Sequence, residues 1–245
     1  MSYQPSLFDS PPLSSPTSPT STVESADELQ SHLISLSGGE VMYYPRWLFS
    51  SSLNASASTH SQALYQTLKQ QVEWEQTEIV LYGKTLRIPR LNAWYADPQC
   101  GYTYSGQYFE PLPWLPILQL IKTAVEATLA PLLQGISFNS ALVNCYRDGH
   151  DSVAWHSDDE PELGQNPIVA SVSLGAERLF QLRHKQLKGD AARHAIALLD
   201  GDLLFMYGAM QHHWQHQIPK TRKPVGERIN ITFRYIKAPN SKKIL

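Results

Sequence analysis

The chain has 245 residues, a formal net charge of −2 and 42% apolar residues, enough to bury the core of one large β domain or two small ones. No apolar run approaches the roughly 20 residues that a membrane-spanning helix needs. The N-terminus has neither the basic nor the apolar region of a signal peptide. Cys100 and Cys145 form no CxxC pair, so we expect buried, reduced thiols and a cytosolic protein.

The charge is distributed unevenly along the chain. Residues 1–40 contain five acids and no Lys or Arg, so the remainder carries a net charge of +3. Residues 178–245 contain 13 Lys or Arg against four acids. A basic C-terminal region suits a polyanionic partner, but an ordinary solvated surface would have the same composition.

The first 37 residues are rich in Ser, Thr and Pro and cannot bury enough apolar surface to fold alone. We therefore expect a disordered tail. Within it, Gln4 followed by Leu7 and Phe8 resembles the bacterial sliding-clamp-binding motif. The alternative is an apolar pair with no function in a tail. Ordered structure is expected to begin near Val41.

The next hundred residues predict two helices and a hairpin. Leu64, Leu68 and Val72 are spaced by four, which predicts an amphipathic helix over residues 60–74. Residues 77–89 are rich in β-formers and turn at positions 82–84, which is a hairpin pattern. A second helix is predicted to start at Pro116, a residue suited to a first turn, and to be limited by Pro131.

After about residue 136 the pattern changes to short β-branched or alternating segments separated by turns. These segments are residues 140–146, 167–175, 178–183, 195–199, 202–206 and 228–234. Six or more such strands indicate a β sandwich or jelly roll. We therefore predict a mainly β protein with flanking helices (α+β), with a tail at 1–37, N-terminal recognition elements at 38–135 and a jelly-roll core at 136–240.

His156, Asp158 and His216 form a candidate metal site. Two imidazoles and one carboxylate can cap one face of an octahedral Fe(II), leaving the opposite face for substrates. In an extended segment, His156 and Asp158 point to the same side because strand side chains alternate. His212 and His213 are competitors of His216, and zinc could accept the same ligand types.

The segment Arg228–Arg234 predicts a strand with an unusual polar face. Arg228, Asn230, Thr232 and Arg234 alternate onto one side, and the apolar residues between them are expected to face the other sheet. A buried arginine needs a partner. A dicarboxylate could supply it, with either arginine gripping its distal carboxylate while its 2-oxo acid end chelates iron. The alternative is a structural Arg–Asp pair.

Several motifs in order along residues 77–236 are similar to those of the AlkB family of Fe(II)- and 2-oxoglutarate-dependent dioxygenases, in its DNA alkylation-repair branch. The motifs are residues 89–95, 102–106, 144–146, 155–160, 167–176, 214–216 and 228–234. The resemblance implies a double-stranded β-helix in which His156, Asp158 and His216 hold Fe(II) and act in catalysis. It implies that 2-oxoglutarate is bound by five residues, namely Asn144, Tyr146, Arg228, Thr232 and Arg234, and that O2 is the oxidant.

The resemblance also implies a substrate site for a flipped nucleobase. Tyr104 would stack on the base, Asp159 and Glu160 would meet its edge, and Tyr82 would lie at the tip of a duplex-inserting hairpin. The same motifs add Arg90, Tyr102 and Ser105 to the predicted substrate-binding set. Lys185, Lys188, Arg193, Lys220, Arg222 and Lys223 lie in or near predicted loops and could contact phosphates.

The activity implied is DNA repair by oxidative demethylation of N-alkylated bases such as 1-methyladenine and 3-methylcytosine, with release of formaldehyde, succinate and CO2. Two alternatives stay open. One is a dioxygenase of the same fold acting on RNA or protein, and the other is a non-catalytic jelly-roll protein with a structural metal. We expect a monomer without membrane contact, located in a bacterial cytoplasm near the nucleoid or in a eukaryotic nucleus.

Overall fold

The computed structural model describes residues 29–50, 57–81, 83–100, 102–104 and 107–237. The predictions that concern Gln4, Leu7, Phe8, Tyr82 and Ser105 lie outside the described residues.

The described elements are fifteen strands and four helices, together with three short 3₁₀ turns. The first strands are β1 (His32–Leu36), β2 (Gly39–Tyr44), β3 (Glu78–Leu81), β4 (Lys84–Arg87), β5 (Leu91–Ala96), β6 (Tyr102–Tyr104), β7 (Gln107–Phe109) and β8 (Ser140–Tyr146). The others are β9 (Val153–His156), β10 (Val169–Gly175), β11 (Arg178–His184), β12 (Arg193–Leu198), β13 (Leu203–Tyr207), β14 (Trp214–Ile218) and β15 (Arg228–Arg234). The helices are α1 (Trp47–Ser50), α2 (Ala57–Gln71), α3 (Pro116–Leu133) and α4 (Met210–His213), and the 3₁₀ turns are Pro98–Cys100, Pro161–Leu163 and Asp190–Ala192.

Two antiparallel sheets form the body of the protein. The larger has the strand order β1-β2-β13-β10-β15-β8-β5, and the smaller has the order β12-β11-β14-β9. Their inner faces share one buried apolar cluster, in which Val169 and Met206 of the larger sheet pack with Phe180, Leu182 and Trp214 of the smaller. The strands β3 and β4, and likewise β6 and β7, form separate hairpins. The predicted mainly β, jelly-roll architecture with flanking helices is therefore confirmed.

The outer face of the larger sheet is covered by helices. Ile229, Ile231 and Phe233 of β15 belong to the same buried cluster as Leu68 of α2 and Leu129 of α3. The prediction that these apolar residues face the other sheet was wrong. They face the helix layer, which leaves the polar side of β15 directed at the smaller sheet.

The N-terminal segment completes the larger sheet. β1 lies inside the range 1–37 that the sequence predicts as a tail, and it pairs with β2, which in turn pairs with β13. β1 is a five-residue edge strand with mostly exposed side chains, so its sequence lacks the alternation that would reveal it. The first folded residues therefore precede Val41.

The two long helices lie near their predicted positions, with shifted ends. α2 begins and ends three residues earlier than predicted. α3 begins at Pro116 as predicted but continues past Pro131, which lies in its last turn. There a proline removes only one backbone hydrogen bond, and the buried side chains of Leu129 and Leu133 hold the turn against the sheet. Gln134 ends the helix in the left-handed conformation, with φ of 50°.

α3 is also long and apolar enough, by length and composition alone, to cross a membrane. Its buried residues include Leu118, Ile121 and Val125, which pack in the cluster between the helices and the larger sheet. This packing is that of a core helix.

Candidate active site

The three predicted metal ligands come together between the two sheets. His156 ends β9, and His216 lies directly opposite it on β14. Asp158 follows two residues after the end of β9. One ligand atom from each of the three side chains lies within 4.8 Å of the others. Among the described residues, no other cluster of His, Cys, Asp or Glu has this geometry.

The other two histidines of this segment lie elsewhere. Residues 210–213 form α4 and the strand begins only at Trp214, so His212 and His213 do not share a strand with His216. The His212 ring is within hydrogen-bonding distance of the Gln165 carbonyl. The His213 ring stacks on His184 at a centroid distance of 5.8 Å.

The Asp158 carboxylate is held ionised by cations around it. Its Oδ1 accepts a hydrogen bond from Nη2 of Arg234 at 2.8 Å. Burial alone would raise the Asp158 pKa, but the charge of Arg234, with smaller contributions from His216 and His156, outweighs it and lowers the pKa to about 2. Its Oδ2 is buried, has no hydrogen-bond partner in the described part of the chain, and lies 3.8 Å from Nε2 of His216. One carboxylate oxygen therefore remains available to a cation.

Each of the two imidazoles has a ring nitrogen that could bind a metal. Burial, and then the neighbouring charge of His156, lower the pKa of His216 to about 3 although Asp158 opposes the shift, so the ring is neutral at pH 7. The His216 ring stacks on the Phe180 ring, and the two ring centroids are 5.3 Å apart. Nδ1 of His156 lies 2.8 Å from the Ala154 carbonyl oxygen. Donation to that carbonyl occupies Nδ1 and leaves Nε2 as the nitrogen that could bind a metal.

At the other end of β15, Arg228 is a buried cation with an incomplete set of partners. Its side chain is 1% exposed, and its Nη2 donates to the Ser173 hydroxyl at 3.0 Å. Nε and Nη1 are buried and have no hydrogen-bond partner among the described residues. The guanidinium lies 5.3 Å from the centre of the Tyr146 ring. Burial lowers the Arg228 pKa to about 10, which still leaves the group protonated at pH 7.

Polar residues continue between the two arginines. The Asn230 amide donates to the Ser171 hydroxyl at 2.8 Å, and its carbonyl accepts from Thr232 at 3.0 Å. Asn144 lies opposite Asn230 on β8, and its Oδ1 accepts from Nε of Arg90 at 2.8 Å. The side of β15 that faces the smaller sheet is therefore polar from end to end.

These residues line a single cavity between the sheets. Its lining consists of Arg90, Leu142, Asn144, Tyr146, Val153, His156, Asp158, Val169, Ser171, Phe180, Met206, His216, Ile218, Arg228, Asn230, Thr232 and Arg234. All eight residues predicted to bind metal or 2-oxoglutarate are among them. Arg90, which the sequence analysis assigned to the substrate, also lies here beside Asn144.

The predicted substrate side of the site is described only in part. Asp159 and Glu160 follow the metal-ligand segment and are exposed. Asp159 forms an ion pair with Lys185 at 3.1 Å. The backbone of Tyr102 and Tyr104 forms β6. The other basic residues predicted near loops are exposed, and they are Lys188, Arg193, Lys220, Arg222 and Lys223.

Sequence reasoning missed four buried polar residues around the site. Ser171 and Ser173 bind Asn230 and Arg228, and their alternation in an otherwise apolar strand was a usable signal. Gln211 accepts a hydrogen bond from the Asp158 backbone. Arg178 donates to three backbone carbonyls of the loops at 148–151 and 219. The contacts of Gln211 and Arg178 depend on loops distant in sequence, so no local pattern reveals them.

Comparison with known proteins agrees with this geometry. The family model of the 2OG-Fe(II) oxygenase superfamily matches residues 40–234. The alpha-ketoglutarate-dependent dioxygenase alkB homolog 3 of Bos taurus is 43% identical over 181 residues, covering 71% of this chain and 61% of the relative. The DNA oxidative demethylase ALKBH2 of Mus musculus is 37% identical over 182 residues, covering 71% of this chain and 74% of the relative.

Two solved structures share the fold. The structure of OsALKBH1 aligns with a TM-score of 0.52 at 17% identity, over 83% of this chain and 100% of that one. A 2OG-Fe(II) family oxidoreductase from Burkholderia pseudomallei aligns with a TM-score of 0.52 at 12% identity, over 80% of this chain and 84% of that one. The chain matches about three fifths of the length of the alkB homolog 3 proteins. By sequence and by fold, the chain belongs to the AlkB family within the 2OG-Fe(II) oxygenase superfamily.

Proposed function

We propose that the protein is an Fe(II)- and 2-oxoglutarate-dependent dioxygenase that demethylates N-alkylated bases in DNA. One observation carries the proposal. A single cavity contains a His-Asp-His cluster at one end and, at the other, the buried Arg228, two of whose N–H groups have no partner among the residues that the structure describes. A structural metal site would not need the second feature.

The donor set fits Fe(II). His156, Asp158 and His216 supply two imidazole nitrogens and one carboxylate oxygen, the ligand types that non-haem Fe(II) oxygenases use while leaving positions open. Oδ2 of Asp158 is a buried acceptor that no described residue satisfies, and a cation would satisfy it. Arg234 would orient the Asp158 carboxylate through Oδ1 and leave Oδ2 to the metal.

The cavity also fits a dicarboxylate. Nε and Nη1 of Arg228 lie on different edges of the guanidinium, and Nη2 belongs to both edges, so a carboxylate can accept from Nη2 and from one of these two groups at once. Asn144, Tyr146 and Thr232 line the same cavity as Arg228 and the cluster. Because Arg234 already donates to Asp158, we assign the distal carboxylate of 2-oxoglutarate to Arg228 and its 2-oxo acid end to the metal side.

When bound, Fe(II), 2-oxoglutarate and O2 supply the oxidising power that hydroxylates an N-methyl carbon, and formaldehyde, succinate and CO2 leave. The contribution of the chain is to bind and orient these groups. The two sheets exclude water from the buried cations, so each electrostatic contact inside the cavity is stronger than in water.

The substrate assignment rests on the rim and on the relatives. N-alkylation at the positions found in 1-methyladenine and 3-methylcytosine makes the base cationic, and the exposed Asp159 and Glu160 would favour a cation. Stacking of a flipped base on an aromatic ring, which we assign to Tyr104, contributes about 1–3 kcal/mol. Tyr82, Arg90, Tyr102 and Ser105 complete the proposed substrate set. The relatives named DNA oxidative demethylase support DNA over RNA or peptide.

Formaldehyde and succinate release tests the proposal. The substrates are oligonucleotides that contain 1-methyladenine or 3-methylcytosine, as single- and double-stranded DNA and as RNA, with and without Fe(II) and 2-oxoglutarate. We expect equal amounts of both products on DNA, and none without either cofactor or in His156→Ala and Asp158→Ala variants. Faster turnover of the RNA oligonucleotides would show that RNA, and not DNA, is the substrate. Unchanged turnover in both variants would contradict the metal assignment.

We also propose that the N-terminal tail docks on a replication clamp through Gln4, Leu7 and Phe8, and that the protein acts as a monomer near DNA, in a bacterial cytoplasm or a eukaryotic nucleus. Placing a repair enzyme on the clamp would raise its local concentration at newly made DNA. Clamp capture by the wild-type protein should exceed capture by a Leu7→Ala/Phe8→Ala variant. Equal capture would refute the docking.

A further inference from the structure

The position of Asp158 is not set by the strand that carries His156. The pairing of β9 with β14 ends at the His156–His216 pair, and Asp158 lies beyond it. A ligand carboxylate on an irregular segment needs another restraint, because metal affinity depends on the orientation of each ligand before the metal arrives. The restraint on Asp158 must therefore come from contacts other than the pairing of β9 with β14.

Gln211 supplies the contact to the Asp158 backbone. Its side chain is 0% exposed, and its Oε1 accepts a hydrogen bond from the Asp158 N–H at 2.9 Å. Its Nε2 lies 3.7 Å from Sδ of Met206, which fixes the other end of the amide in the apolar core. A neighbouring bond, from the Ser157 hydroxyl to the Trp214 carbonyl at 2.8 Å, ties the same two segments together.

Lys185 closes this arrangement from the outside. Its Nζ donates to the backbone carbonyl of Gln211 at 2.9 Å and to Oδ2 of Asp159 at 3.1 Å. Its own backbone N–H donates to the His213 carbonyl at 2.7 Å. One side chain therefore bridges α4 to the residue that follows Asp158.

We propose that Gln211 is a positioning residue for the metal ligand Asp158, and that Lys185 supports it by joining Gln211 to Asp159. A neutral acceptor suits the site, because a carboxylate at position 211 would add a second buried anion beside Asp158. The inference rests on the proposed metal site. It concerns the apo protein, in which the Asp158 backbone must be held before any metal binds.

Titration of the apo protein with Mn²⁺, followed by electron paramagnetic resonance of the free ion, tests the inference without turnover. Gln211→Leu keeps the size of the side chain and removes the acceptor. We expect its Mn²⁺ dissociation constant to rise by about tenfold or more, the range for loss of a contact that orients a ligand. The matched control is Gln217→Leu on the outer face of β14, where the amide contacts Gln181 at 2.7 Å and not the site. It should bind Mn²⁺ like the wild type.

The thermal midpoint of each apo variant separates positioning from folding. Weaker Mn²⁺ binding by a folded Gln211→Leu protein supports the inference, and wild-type affinity overturns it. If Gln211→Leu does not fold, Lys185→Met decides, because this residue is exposed. Its affinity should fall in the same direction by a smaller factor, and an unchanged affinity rejects the inference. Asp158→Ala is the reference, since undiminished Mn²⁺ binding in that variant would refute the metal site itself.

Discussion

Exchange of Arg228 for methionine should have opposite effects on 2-oxoglutarate binding and on the stability of the apo protein. Two buried N–H groups of Arg228 have no partner among the described residues, and each such group costs about 1–3 kcal/mol. Methionine removes that cost and loses one hydrogen bond to Ser173. We expect the free energy of unfolding of the apo protein to rise by about 1–2 kcal/mol. For a chain of this length, each kcal/mol raises the thermal midpoint by about 2–4 °C.

The same exchange should strongly weaken the binding of 2-oxoglutarate. Hydrogen bonds to a charged group contribute about 1.5–3 kcal/mol each, so loss of two costs at least about 3 kcal/mol. Since 1.4 kcal/mol is a factor of ten, the dissociation constant should rise by on the order of 10²-fold. Calorimetric titration of 2-oxoglutarate into the Mn²⁺-loaded protein measures this constant.

Arg178 provides the matched control. It is a second buried arginine, but its guanidinium donates to the carbonyls of Asp148, Asp151 and Pro219 at 2.7–3.0 Å. Arg178→Met leaves those carbonyls without this donor, so it should lower the free energy of unfolding by about 3 kcal/mol or more. If Arg228→Met destabilises the apo protein as Arg178→Met does and retains 2-oxoglutarate affinity, the role assigned to Arg228 is wrong.

Three further predictions follow from the same contacts. The pKa of His216 is about 3 in the folded apo protein against an ordinary 6.5, so the unfolded chain binds the extra proton between these values and apo stability should fall as pH drops through that window. Urea unfolding should show a slope of up to about 1.4 kcal/mol per pH unit, which His216→Gln should flatten, and an unchanged slope would contradict the burial argument. Ser173→Ala removes the hydrogen-bond partner of Arg228 Nη2 and should raise the 2-oxoglutarate dissociation constant by about tenfold or less, whereas Ser157→Ala, on the metal side, should not. Burial raises the thiol pKa to about 11 at Cys100 and about 12 at Cys145, so iodoacetamide at pH 8 should alkylate both only after denaturation, and labelling of the native protein would refute their burial.

The parts of the fold that the sequence predicted best are continuous β-branched segments. β8 and β15 have the predicted boundaries because uninterrupted alternation identifies a buried strand without help from its neighbours. Period-two alternation also identified which residues of β15 share a face. It could not identify which layer each face meets, and the apolar face of β15 packs on helices because α2 and α3 cover that side of the sheet.

The site was predictable where a short motif carries the chemistry. His156 and Asp158 stand two residues apart, and the Arg228–Arg234 segment follows His216 closely. The residues that orient these groups could not be predicted, because each contact joins segments far apart in the chain. The Gln211–Asp158 bond spans 53 positions and the Arg90–Asn144 bond spans 54. The hydrogen bond of Arg90 to Asn144 exists only after β5 pairs with β8.

The most direct test of the proposed metal and 2-oxoglutarate site is a crystal structure from crystals that are grown without O2 in the presence of Mn²⁺ and 2-oxoglutarate. We predict a metal bound by His156, Asp158 and His216. We also predict that the distal carboxylate of 2-oxoglutarate accepts hydrogen bonds from the Arg228 guanidinium, one of them from Nε or Nη1, which have no partner among the described residues. A metal with a different ligand set, or a dicarboxylate bound away from Arg228, would contradict the proposed site.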